Sequence, residues 1–71
     1  SSYELAAKMQ TAAKEALDSG ARTPQAIVDL LYLGLSPALV TMAEESVLAH
    51  LVMLEDEGRV CRDDGAWRLS G

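Results

Sequence analysis

The sequence is poor in the residues that carry most chemistry. One cysteine, Cys61, excludes an internal disulfide and a Cys-rich zinc site. One histidine, His50, leaves almost no metal-ligand set. No run of about 18 apolar residues is present, so no transmembrane helix is expected. Ser1-Ser2-Tyr3-Glu4 lacks the basic and apolar regions of a signal peptide. Basic residues are scarce: six Lys and Arg stand against eleven Asp and Glu, a net charge of −5. That balance disfavours a general nucleic-acid or anionic-membrane binder. Neither a Gly-x-Ser-x-Gly elbow nor a phosphate-cradling loop occurs, so no catalysis is expected from this chain alone.

What is present fits one small domain of 71 residues, 49% hydrophobic and 24% charged. A chain of this size hides only roughly 60% of its unfolded surface, so its core is modest. It starts without Met and is expected to be processed or part of something longer. The reduced thiol and the missing signal lead to the expectation of an intracellular, cytoplasmic setting.

Residues 3–19 read as a first helix, with Leu5, Met9, Ala12, Ala13, Ala16 and Leu17 on one face. Ser1 and Glu4 have capping-box spacing, and Gly20 is the stop. Thr23-Pro24 opens a second helix, expected to run to Leu33 with Ile27, Leu30 and Leu31 inward. Ser36-Pro37 repeats that signature. From Ala38 to Glu57 there is no Gly or Pro, and Val40, Ala43, Val47, Leu51 and Leu54 keep helical spacing. One long helix and a short turn followed by a main helix both fit. Gly58 closes the segment.

Arg59–Arg62 and Ala66–Leu69 are two short extended runs around Asp63-Asp64-Gly65. Asp-Gly supports a tight hairpin, and alternation turns Val60, Trp67 and Leu69 inward. The fold class is therefore mainly α with a small β-hairpin: a winged helix-turn-helix of three helices and a two-stranded wing.

Such a fold reads DNA with its third helix while basic residues clamp phosphates. Here segment 36–57 holds five carboxylates and no Lys or Arg. Placing it against phosphates costs electrostatic free energy. With Val47, Leu51 and Leu54 inward, the outer face carries Glu45, Ala49, Val52, Met53 and Asp56. Exposed Val52 and Met53 fit either the scattered apolar residues that ordinary surfaces carry or a protein contact, where Met is an adaptable filler. Tyr32, Leu33 and Leu35 cannot all fill the core. The candidate docking face is therefore Tyr32, Leu33, Leu35, Ala49, Val52 and Met53. Arg59, Arg62 and Arg68 on the wing are candidate contacts for an anionic substrate or an acidic neighbour. Asp63 and Asp64 offset much of their charge, so a solvated hairpin with weak surface pairs is the simpler reading. His50 reads as a partly buried packing residue and Cys61 as a small strand residue.

Several segments together carry a resemblance. They are Thr23–Val28, Leu31-Tyr32, Leu48–Leu51, Leu54–Val60 and Asp64–Leu69. Across roughly residues 11–69 the chain resembles the C-terminal winged-helix domain of metallo-β-lactamase-fold hydrolases of the β-lactamase-like protein 2 type. The resemblance implies an N-terminal αββα domain that holds two zinc ions through a His-x-His-x-Asp-His motif. The winged helix then packs on that domain and helps shape the substrate cleft. Relatives look like hydrolases of thioesters or RNA. None of the zinc motif is in this sequence, so zinc is expected in the missing catalytic domain and no catalytic role transfers to a residue here. Leu51, Leu54, Gly58, Val60 and Trp67 match fold-forming positions. Met53 departs from the charged residue that relatives often carry.

The expected role is a non-catalytic accessory domain whose partner is its own β-lactamase-fold domain. One alternative is a free-standing DNA- or RNA-binding winged helix, which predicts salt-dependent binding sensitive to Arg59, Arg62 and Arg68. Another is an unrelated protein-interaction module.

Overall fold

The computed structural model describes residues 2–70. Three helices, α1 (Ser2–Asp18), α2 (Pro24–Leu31) and α3 (Pro37–Asp56), precede strands β1 (Val60–Asp63) and β2 (Ala66–Leu69). The strands form one antiparallel hairpin in which Val60 faces Leu69 and Arg62 faces Trp67. The expected winged-helix layout is what the chain adopts.

Local chemistry sets the boundaries. Thr23 is an extended N-cap whose Oγ1 accepts from the Ala26 N–H at 3.1 Å. That hydrogen bond satisfies one donor the first turn leaves free, and Pro24 has no N–H to leave. Ser36 repeats the sequence signature but not the bond: its side chain makes no cap hydrogen bond. The long α3 runs unbroken, deciding between the two readings of that segment. It ends where Gly58 takes φ +76. The Gly58 N–H then reaches the Glu55 carbonyl and the Arg59 N–H the Leu54 carbonyl, the paired bonds of a Schellman stop. Asp64 and Gly65 both have positive φ, which gives the hairpin the turn whose twist matches its strands. The proposed Ser1 cap lies outside the described residues.

The core consists of Ala13, Ala16, Leu17, Ala21, Ile27, Val28, Val47, Leu51, Leu54, Val60 and Trp67. Three expectations need correction. Leu5 is 70% exposed, because α1 buries its C-terminal half and its first turns stand clear of the core. Leu30 is 55% exposed, and Val28 takes the inward place. Apolar pairs Ile27-Val28 and Leu30-Leu31 allow two stripes on so short a helix, and packing selects Ile27, Val28 and Leu31. Finally, α2 stops at Leu31 and not Leu33. Tyr32 leaves the helix in a more extended conformation and packs back on the core, its hydroxyl 3.6 Å from Met9 Sδ.

By length and composition α3 could cross a membrane, a property that counting uninterrupted apolar residues misses. Its Val47, Leu51 and Leu54 are instead the centre of this fold, and Glu44 and Glu45 interrupt it midway. One tertiary link fixes the wing. The Trp67 N–H donates to the Arg22 carbonyl at 2.8 Å, joining β2 to the loop between α1 and α2. Trp67 itself is 2% exposed and closes the core from that side.

Candidate functional site

The position that would read DNA in this fold is the outward face of α3. Glu45, Ala49, Val52, Met53 and Asp56 are all exposed there, as helical spacing requires once Val47, Leu51 and Leu54 point inward. No cation stands on α3. Two carboxylates at its C-terminal end, Glu55 in the last turn and the C-cap Glu57, are engaged. Glu55 Oε1 accepts from Arg62 at 3.0 Å, and Glu57 Oε1 lies 3.2 Å from Arg59 Nε.

These pairs change the reading of the wing. Arg62 also lies over the Trp67 ring, 4.5 Å from its centroid. Facing positions on the two strands place it there. Arg62 is thus bound into the joint between α3 and the wing, and Arg59 is paired to the end of α3. Arg68 points from the opposite face of β2 to Trp67, is exposed, and makes no ion pair among the described residues. The three arginines therefore do not form one clamp.

The six candidate docking residues also separate. Tyr32 and Leu35 are half-buried against the core, while Leu33 is 88% exposed at the α2–α3 turn. Tyr32 lines a groove with Leu5, Lys8, Met9, Ala12 and Leu31. Met53 lines a different one, of about 350 Å³, with Tyr3, Ala6, Ala7, Gln10 and Glu57. Sequence reasoning missed the α1 wall of this second groove, because only tertiary packing brings the start of α1 beside the end of α3. It also passed over Leu39 and Met42, both exposed on α3. Their three- and four-residue spacing to the outer face was the available signal.

His50 is half-buried, with a buried Nδ1 that has no hydrogen-bond partner among the described atoms. Cys61 is a half-buried free thiol on β1. Among the described residues no group of three or more His, Cys, Asp or Glu could hold a metal ion.

Residues 23–67 match the family described as the beta-lactamase associated winged helix domain, from the α2 cap to the buried tryptophan. The chain belongs to that family. No curated protein and no solved structure matched. In this beta-lactamase associated winged helix domain the matched stretch contains α2, α3 and most of the wing. It therefore includes the outward face of α3 and the Glu55–Arg62–Trp67 joint.

Proposed function

We propose that the chain is a non-catalytic accessory domain of a zinc-dependent metallo-β-lactamase-fold hydrolase. It packs on the catalytic domain, its own N-terminal neighbour in the parent protein, and helps shape the substrate cleft. The parent works in the cytoplasm. The observation that carries this reading is the outward face of α3: it has exposed apolar side chains and carboxylates where a DNA reader needs cations. Family membership supports a β-lactamase-fold neighbour.

Among the described residues no group of three or more His, Cys, Asp or Glu could hold a metal ion, so no chemical step is assigned to this chain, and the zinc of this proposal is that of the catalytic domain. On the wing, Arg68 is the better placed of the three arginines to meet an anionic substrate held by the neighbour, since Arg59 and Arg62 already face carboxylates.

The test is the intact mass and zinc content of the native protein, recovered with an antibody to this domain. The expected result is a mass several times 7.6 kDa with about two zinc ions, the count in a two-metal hydrolytic site. A zinc-free native species near 7.6 kDa would overturn the reading.

A further inference from the structure

The α3 helix is twenty residues long, yet its fully buried residues are Val47, Leu51 and Leu54. Away from them Leu39, Met42, Ala49 and Met53 recur at steps of three, seven and four, so they share one stripe. All four are exposed, Met42 at 65% and Met53 at 49%. At its C-terminal end the stripe runs into the groove that Met53 shares with Tyr3, Ala6 and Ala7 of α1. The apolar surface thus continues from one helix to the next.

One edge of this stripe is acidic. Glu45 and Asp56 lie along it by helical spacing. Unlike Glu55 and Glu57, neither makes an ion pair or hydrogen bond among the described residues. The wing arginines neutralise the end of the helix and leave the edge of the stripe charged. A second copy of this face would set carboxylate against carboxylate. Phosphates and anionic lipids are repelled for the same reason.

We infer that this face docks a protein surface with an apolar centre edged by lysine or arginine. The inference rests on the proposed accessory role and deepens it: the basic-edged surface is that of the β-lactamase-fold domain. Methionine suits the centre, because its flexible thioether adapts to an irregular apolar partner. The carboxylates set orientation and speed encounter through complementary charge.

The test uses the 71-residue chain, isotope-labelled for NMR, and a synthetic 18-residue amphipathic helix of leucine and lysine as probe. The expected result is amide shifts at Leu39, Met42, Glu45, Ala49 and Met53. A Glu45→Lys, Asp56→Lys double variant should bind at least tenfold more weakly. Met53→Asp should abolish the shifts while keeping the helical circular dichroism. A probe that binds elsewhere or not at all overturns the inference. So does an equal response to a leucine–glutamate helix or to phosphatidylcholine vesicles. In the native protein, carbodiimide should join Glu45 or Asp56 to a lysine of the β-lactamase-fold domain. A cross-link from a different face of this chain overturns the assigned face and leaves the accessory role standing. A native protein without such a domain removes the accessory role, and the peptide titration still decides the chemistry of the face.

Discussion

Arg62 lies over the ring of Trp67, 4.5 Å from its centroid, and ties the wing to the end of α3 through Glu55. A side chain that looked available for an anionic substrate is therefore part of the framework. The cation–π contact is worth about 0.5–1 kcal/mol at an exposed site, and the half-exposed ion pair adds about 0–1. Arg62→Ala should lower stability by about 1 kcal/mol in urea denaturation. Arg62→Lys should recover part of it, since an ammonium keeps the charge but stacks less well. An unchanged midpoint for Arg62→Ala would remove the joint from the account.

The two helix caps make a matched pair. Thr23→Ala loses the hydrogen bond to Ala26 and should cost about 1 kcal/mol. Ser36→Ala should cost only a few tenths, because Ser36 makes no side-chain cap bond. Equal losses in thermal or urea melts would contradict the difference seen between the two caps.

Leu51 is fully buried, and its truncation to alanine should cost about 2–5 kcal/mol. At about 0.05–0.15 kcal/mol per residue, a domain of this length has roughly 4–11 kcal/mol in all. Leu51→Ala should therefore leave a large unfolded fraction on mild warming, visible by circular dichroism. Leu30→Ala, at a position 55% exposed, should stay within about 0.5 kcal/mol of the parent.

Gly58 takes φ +76 in the stop that lets the chain leave α3 for the wing. A Cβ there would meet no neighbour, so the cost of Gly58→Ala is backbone strain alone, about 1–2 kcal/mol. Asp64 at φ 54 already occupies the left-handed region as a non-glycine residue. Asp64→Asn should be neutral or slightly stabilising, since Asn-Gly also suits this turn. A destabilised Asp64→Asn in the same melts would point to a role for the carboxylate beyond the turn.

If the wing arginines do not form a phosphate clamp, binding to a DNA duplex should be undetectable even at low salt. Arg68→Ala should leave that result and the fold unchanged. Salt-sensitive binding lost with Arg59, Arg62 or Arg68 would restore the nucleic-acid reading.

The element order could be read from the chain because its signals are local. Thr23-Pro24, Gly58 and Asp64-Gly65 each act on backbone within a few residues, and each is used as the sequence implies. The inward stripe of α3 followed from its period alone. The acidic face that argues against DNA was equally legible, since five carboxylates without a cation are a property of composition.

Tertiary structure decided what periodicity leaves degenerate. Ile27-Val28 and Leu30-Leu31 offer two faces of one short helix, and only packing selected Val28 over Leu30. Tyr32, Leu33 and Leu35 were equivalent as apolar residues until the core took two and left Leu33 in solvent. The engagement of Arg62 and the groove beside Met53 depend on contacts far apart in the chain. Local periodicity sets which residues share a face; long-range packing decides which face is covered and which charges are already paired.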